Sequence, residues 1–557
     1  MLRIEKRRLP LFLAWVAGTI YFILWAPRAL DLADEGFGAA CAVRVLSGEV
    51  PHRDFFSLWP PGAHLLTALL FKVGGVSFLW GRIVVAAAGS LTLALALSLS
   101  FNLTRSFWLA ALTGAIFVAW GPPMFNLMQP GWLAAGIGLL SAAFAITSLD
   151  KPSYKKFFWG GLTVGVVALF KHNVAVYLAV AWLGLIIYTA NATEMRVGKG
   201  LAFFLGALSL AVVPVLAWLV ASGAGGAAFH DLVAFPLRRH RVSMAIGQPW
   251  PSGPELVALL GVTAFCVGIA LERWRNRLVV AGAAVAVAAP LALLAGPTKV
   301  AAGTWTWAFH LPWVGFAVAG ALAAFFYRGK RRALLAFSLL FLLALHLQIF
   351  PRADRAHLAF SLASTTLIWA AVLGQGAWLG KWKRAAFGAV SGLLLVAMLP
   401  AAAWQLSQFV ELKSSLEAKR VIFDVRERFP SVRAPFVVKA EEGRDVRYTV
   451  NCVDRLLTDD EPLVVVPVEA TLLVLSGHDF PGRYSIFLPG YLDENDQLAE
   501  IALWEGKGLR VIVTSTTEIG GHNFYDYCPI LGEYISDNFK PLATYGRFTV
   551  NLRGQEA

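Results

Sequence analysis

Residues 31–61 read DLADEGFGAACAVRVLSGEVPHRDFFSLWPP, and this stretch decides how the rest of the chain is read. It places three carboxylates, Asp34, Glu35 and Asp54, in a polar segment directly after the first apolar run, and Pro60-Pro61 closes it before the next one. A plain connector needs neither this length nor this density of acids. Acids held at the edge of an apolar bundle are costly unless they pair or reach water, so the segment is a candidate site.

The flanking composition fixes the class. The chain has 557 residues, 57% of them hydrophobic and only 15% charged, with a mean hydropathy of +0.63. That is more apolar sequence than one soluble core holds, and it identifies a polytopic α-helical membrane protein. A bilayer core about 30 Å thick takes roughly 20 apolar residues per helix, and such runs recur from Leu9 to Val410. From Glu411 onward the composition turns polar, with short β-rich runs. We therefore divide the chain into a transmembrane part, 1–410, containing the first extracytoplasmic loop, 30–77, and a small soluble α/β domain, 411–557.

The formal net charge of +13 does not indicate nucleic acid, because the basic residues stand in short clusters between apolar runs. Such clusters set topology. Arg3, Lys6, Arg7 and Arg8 keep the N-terminus cytoplasmic, and with no small-residue cleavage site the first span reads as an uncleaved anchor. Lys151 to Lys156, Arg196 to Lys199, Glu272 to Arg277, Arg328 to Arg332 and Lys381 to Arg384 follow on the same side. Spans are expected near 9–29, 78–101, 107–122, 131–149, 157–171, 173–190, 200–221, 255–272, 278–296, 305–327, 332–350, 357–378 and 385–406, about thirteen by hydropathy. Parity closes if Gly62 to Gly75, too short to cross, lies in the outer interface. The run 157–190, broken at Lys171-His172-Asn173, splits into two spans. The soluble domain then lies outside the cytoplasm.

Sorted by side, Asp34, Glu35, Asp54, Lys171, His172, the group Arg238-Arg239-His240-Arg241, Lys299, Arg352, Asp354, Arg355 and His357 all fall at the outer face. Acids and bases meeting at one aqueous mouth suit a reaction on an anionic substrate.

Within these residues the order Asp34-Glu35-Gly36, Leu46-Ser47-Gly48, Pro51-His52-Arg53-Asp54-Phe55 and Pro60-Pro61 resembles the first extracytoplasmic loop of the GT-C superfamily, in particular the protein O-mannosyltransferase and aminoarabinose transferase group of bacterial membrane glycosyltransferases. Gly161-Leu162 through Gly165 to Lys171, and Pro351-Arg352-Ala353-Asp354 with His357, add to the likeness, which covers roughly residues 10–380. The resemblance implies a GT-C-like fold and inverting transfer of a hexosyl or pentosyl group from a polyprenyl phosphate to a hydroxyl of a cell-surface glycan, lipid or protein, performed at the inner membrane as part of cell-envelope polysaccharide biosynthesis. It also implies that a leading acid of the first loop is the catalytic base.

The residues agree with that chemistry. An attacking hydroxyl must lose its proton, and a carboxylate within hydrogen-bond reach takes it; Asp34 is the expected base. On a helix Glu35 diverges from it by about 100° and orients the acceptor or makes a structural ion pair. Asp54, beside Arg53, positions the sugar or closes the site. The leaving phosphate needs cations, and Lys171, Arg352 and Arg355 are the candidates, with His172, Asp354 and His357 beside them. Where the transferases of this group carry Glu-Lys or His before the double proline, this chain has Leu58-Trp59, so Trp59 is expected to stack on a sugar ring or prenyl chain. No cofactor follows from the sequence; a divalent metal stays open, as the outer histidines lack the tight spacing of a ligand pair.

Each assignment has a plainer competitor. Asp34 and Glu35 also read as a capped, solvated loop, Asp54 as a surface pair with Arg53, Lys171 as a snorkelling side chain, the 238–241 group as a lipid-headgroup contact, His357 as a helix-end histidine and Arg352–Asp354 as an ion pair. The competing functional class is a multi-pass transporter of an anionic or lipid-linked substrate, which usually shows related halves that this sequence lacks. A non-catalytic scaffold or sensor ranks last, because an anchor does not need so many crossings. In the C-terminal part we expect a helix over 412–429, strands near 435–440, 463–468, 484–488 and 509–514, and a hairpin over 541–553. Cys452 and Cys528 are placed to form a disulfide there.

Overall fold

A computed structural model describes residues 8–123, 125–240, 312–313, 315–316, 329–350, 354–376, 426–429 and 431–554. Apolar runs become helices: α1 (Arg8–Ile23), α2 (Asp34–Leu46), α3 (Gly62–Gly74), α4 (Phe78–Thr104), α5 (Phe107–Trp120), α6 (Pro130–Asp150), α7 (Tyr154–Phe170), α8 (His172–Asn191), α9 (Val197–Ala221), α10 (Gly225–Phe229), α11 (Gly329–His346) and α12 (Arg355–Gly376). Among the described residues five helical stretches are long and apolar enough to cross a membrane: Phe78–Thr104, Pro130–Asp150, His172–Asn191, Val197–Ala221 and Arg332–Ile349. Shorter apolar helices occupy Pro10–Ile23, Gly62–Gly74, Phe107–Val118 and Ala356–Ala371. The spans expected at 255–272, 278–296 and 385–406, and most of 305–327, lie outside the described residues.

Helix α3 has 13 residues. At 1.5 Å per residue it is about 20 Å long, too short to cross a core of about 30 Å. The 157–190 run breaks at Lys171, whose backbone (φ −149°, ψ 86°) is extended and separates α7 from α8. Glycines set the tightest helix contact. A Cβ at Gly161 would lie 2.0 Å from the Phe204 carbonyl oxygen, and one at Gly165 2.7 Å from that of Leu208. The small-xxx-small seam therefore lets α7 and α9 meet backbone to backbone. Elsewhere α9 turns Leu205, Leu210, Val213, Leu216 and Val220 outward.

The C-terminal segment forms a second layer. Strands β1 (Arg426–Arg428) and β2 (Val437–Lys439) pair antiparallel. Strands β3 (Leu463–Val466), β4 (Val511–Ser515), β5 (Phe539–Tyr545) and β6 (Phe548–Arg553) form a sheet in the order β3-β4-β6-β5, parallel only between β3 and β4. Helix α13 (Ala440–Leu456) buries Val446, Thr449 and Val453, the one-face spacing of an amphipathic helix. It is followed by α14 (Thr471–Ser476), α15 (Glu494–Gly506), α16 (Phe524–Tyr527) and α17 (Pro529–Asn538).

Three expectations for this segment are corrected. Residues 426–428 are a strand rather than the end of a helix, because β2 takes them into a hairpin in which the Phe429 amide bonds the Phe436 carbonyl. Residues 484–488 form no strand: the Tyr484 amide bonds the Glu500 carboxylate and the Phe487 amide bonds the Pro467 carbonyl, so neither joins a ladder. Cys452 and Cys528 are free thiols, the first on α13 beside Tyr545, the second buried ahead of α17.

The layer does not have a core of its own. Leu30, Leu32, Phe56 and Phe71 of the first loop and Phe78 at the start of α4 are packed in one buried cluster with Phe436, Val446, Leu463, Val511, Trp504 and Phe548. Backbone bonds join the two: Ala29 N–H to Val437 O (3.0 Å), Val437 N–H to Pro27 O (2.7 Å), Thr471 N–H to Leu32 O (3.1 Å) and Phe78 N–H to Arg433 O (2.8 Å). Only a residue without Cβ fits at Gly36, where one would lie 2.1 Å from the Thr471 amide. First loop and C-terminal segment thus fold as one layer on the helix bundle.

Candidate active site

Helix α2 starts where Asp31 stops the chain. Its Oδ1 accepts from the amides of Ala33 (3.1 Å) and Glu35 (3.0 Å), satisfying donors that the first helical turn leaves open. Asp34 and Glu35 follow in that first turn, where the helix dipole favours acids. They then diverge. Glu35 is buried and bidentate with Arg82, Nε to Oε1 at 2.7 Å and Nη2 to Oε2 at 2.6 Å. Arg82 also donates to the carbonyls of Ala26 (2.7 Å), Arg28 (2.6 Å) and Ala29 (2.9 Å) and stacks over Phe436 at 3.7 Å. Every donor of that guanidinium is committed, so Glu35 fastens the chain entering the loop to α4.

Asp34 is exposed, and its Oδ2 accepts from Gln129 Nε2 at 2.8 Å. Gln129 immediately precedes Pro130, the first residue of α6. Two residues on, a Cβ at Gly131 would touch the Phe360 ring at 2.3 Å. Phe360 packs edge-on against Trp132 (5.1 Å) and His357 (5.9 Å), and the Lys171 ammonium lies 5.5 Å from its centroid. Burial lowers Lys171 to about 8, against the pull of the Asp354 carboxylate. Asp354 caps α12, its Oδ1 accepting from the His357 amide (3.0 Å) and facing His357 Nδ1 (2.8 Å). The Pro61-Gly62 corner meets the same region, since a Cβ at Gly62 would lie 2.4 Å from Leu169 O, two residues before Lys171.

Lys171, Asp354 and His357 thus gather around Phe360, and Asp34 is tied through Gln129 to the start of α6, whose Gly131 meets the same ring. His172 opens α8 there, and among the described residues its buried Nδ1 has no hydrogen-bond partner. Arg355 is the first residue of α12; Arg352 lies outside the described residues, as do Arg241 and Lys299 of the outer-face group.

Asp54 serves the loop itself. Arg53 grips it with two bonds, Nε to Oδ1 at 2.8 Å and Nη2 to Oδ2 at 2.7 Å, and holds its carboxyl below the usual range, while Oδ2 also takes the Val50 amide at 2.7 Å. Arg53 Nη1 reaches Ser222 O at 3.0 Å, pinning this turn to the end of α9. Trp59 has one face stacked on His64 at 5.7 Å and its edge near Phe37 at 5.2 Å. The Trp59 and His64 rings line a cavity of about 20 Å³, room for one water, with Glu35, Thr67 and Met128. Burial pushes His64 down to about 3, so its imidazole is neutral. Among the described residues no group of three or more His, Cys, Asp or Glu side chains is placed to hold a metal ion.

Sequence reasoning missed Gln129, Arg82 and, above all, Asp231 and Arg483. Asp231 is fully buried and receives two bonds from Arg483 Nη2, at 3.0 and 3.1 Å. A lone acid in the apolar run AAFHDLVAF was the available signal.

No protein-family model matches the sequence, and no curated protein does. Among solved structures, the chain is similar over nearly its whole length to ArnT. The ArnT of Cupriavidus metallidurans with undecaprenyl phosphate bound shares 15% identity at a TM-score of 0.47, covering 98% of this chain and 98% of that one. Its apo state gives 15% and 0.46, covering 99% and 100%. The Saccharomyces cerevisiae protein O-mannosyltransferase Pmt1-Pmt2 complex bound to its sugar donor gives 17% and 0.32, covering 40% of this chain and 35% of that one. At such identity the residue assignments rest on this chain's own geometry.

Proposed function

We propose that the protein is an inverting glycosyltransferase that moves a hexosyl or pentosyl group from a polyprenyl phosphate to a hydroxyl of a glycan, lipid or protein acceptor at the outer face of the cytoplasmic membrane. The observation that carries this reading is the exposed Asp34 carboxylate, tied through Gln129 to the start of α6, whose Gly131 meets the Phe360 ring that Lys171 faces. Asp34 accepts the hydroxyl proton as the acceptor oxygen bonds to the anomeric carbon. The bond from that carbon to the phosphate oxygen breaks with inversion, and both of its electrons leave with the phosphate. Lys171 meets the developing charge, with Arg352 and Arg355 as further candidates, and Asp354 with His357 frames the cation. The prenyl tail stays among the apolar helices while the phosphate is held at their end. In this arrangement the N-terminus is cytoplasmic and the C-terminal layer is outside.

The test is release of polyprenyl phosphate from a panel of synthetic polyprenyl-phosphate sugars by the purified protein with cell-envelope acceptors. Release by the native chain and its loss in Asp34→Asn are expected. Equal release by Asp34→Asn, with the variant still folded in the membrane, rejects the assignment.

A further inference from the structure

Three parts of the chain that are remote in sequence converge on one buried carboxylate. Asp231 stands in a π-helical run, His230–Ala234, just beyond the end of α10. Its Oδ1 accepts from Arg483 Nη2 (3.0 Å) and faces His230 Nδ1 (3.0 Å). Its Oδ2 takes Arg483 Nη2 (3.1 Å), His52 Nδ1 (3.2 Å) and the Ser57 amide (3.4 Å). Arg483 Nη1 continues to the carbonyls of His52 (2.9 Å) and Arg53 (3.3 Å). A π-turn often marks a functional position, and here it aims the acid inward.

The surrounding structure holds this arrangement against local preference. His52 has φ +71°, a conformation unusual for a residue with a side chain. His52 Nδ1 faces the Asp231 carboxylate, and among the described residues its buried Nε2 has no hydrogen-bond partner. Arg483 is itself fixed: the Glu500 carboxylate accepts its amide at 2.7 Å, and its carbonyl takes the Phe56 amide at 2.9 Å. Phe235 fills the space behind, between Phe56 (4.8 Å) and Tyr491 (5.0 Å).

From this lock the first loop runs to the site in a few steps. Ser57 Oγ bonds His64 Nε2 at 2.8 Å and accepts from the Trp59 amide at 3.0 Å. Pro60, Pro61 and Gly62 follow, and Gly62 abuts Leu169 beside Lys171. We propose that Asp231 is a positioning residue of the transfer reaction: through Arg483 and His52 it makes the C-terminal layer hold the first loop in register with the Lys171 turn. This rests on the transferase reading for its chemistry. Its geometry stands apart from that reading.

The experiment uses the full chain, purified, with Asp231→Asn, Arg483→Gln and the double variant. Hydrogen–deuterium exchange is read at the amides of His52, Asp54, Phe56 and Ser57, and turnover at a series of undecaprenyl-phosphate sugar concentrations. Each single variant is expected to speed exchange at these amides about tenfold or more and to lower kcat about ten- to a hundredfold, the loss that misplacement by an ångström brings. Donor KM stays within about threefold, because the phosphate-binding groups are untouched. The double variant loses no more than the worse single one, since both remove one lock. Unchanged exchange in the single variants, or losses that multiply in the double variant, would overturn the proposal. If Asp231→Asn does not fold, Arg483→Lys, which keeps the charge but not the fork, decides it by the same two readouts. If the native chain turns over no donor, the transferase reading falls and exchange alone judges the lock.

Discussion

At the start of α2 two adjacent carboxylates face different surroundings, and that difference predicts opposite phenotypes. Asp34→Asn removes a proton acceptor from an exposed position, so turnover should fall by about 10² or more, with the unfolding temperature unchanged. Glu35→Gln leaves Arg82 charged and buried without its counter-charge and with one of its five hydrogen bonds lost, and removing one partner of such a buried pair typically costs about 3–5 kcal/mol. Thermal unfolding in detergent should show it plainly, whatever the activity. Lys171 makes a prediction about pH. Its folded value of about 8 means that the cation is present below that pH and lost as pH rises through it. If the cation meets the donor phosphate, kcat/KM for the donor falls about tenfold per pH unit above about 8, and Lys171→Arg removes that limb because the guanidinium stays charged. A flat profile in the native chain would remove Lys171 from the phosphate site.

Among the elements, the α7–α9 seam is the most exacting. Gly161→Val places carbon atoms where the Phe204 carbonyl already sits, so the variant should fail to give a monodisperse, thermally stable protein; Gly206→Ala on α9, with nothing within 4 Å among the described residues, should behave like the native chain. This level also shows what a linear reading can reach. The long helices, the break at Lys171 and the hairpin around Gly546, which has φ +57°, are written in local sequence, as apolar run, polar interruption and left-handed turn residue. The pairing of Asp34 with Gln129 crosses 95 positions and that of Asp231 with Arg483 crosses 252, and no local pattern specifies either. The apolar spacing of 484–488 looked like a strand because periodicity reports burial, whereas a ladder needs a neighbour, and Glu500 and Pro467 took two of its amides instead.

For the whole molecule, the shared core of first loop and C-terminal segment means that neither is complete alone. Gly36→Val pushes a side chain into the Thr471 amide and should lift the layer, seen as faster release of a C-terminal fragment in limited proteolysis and a lower unfolding temperature. Unchanged cleavage would show that the layer docks without that contact.

The same shared core has a temporal consequence. A ribosome finishes residues 30–77 long before it makes Thr471, whose hydroxyl bonds the Asp31 carbonyl 440 positions earlier, or Gly482, whose carbonyl takes Arg44 across 438. During that interval Leu30, Leu32, Phe56 and Phe71 have no covering strands. The nascent loop must wait, unfinished and sticky, so maturation of the site is the final event of biogenesis and the stage at which a chaperone would be needed.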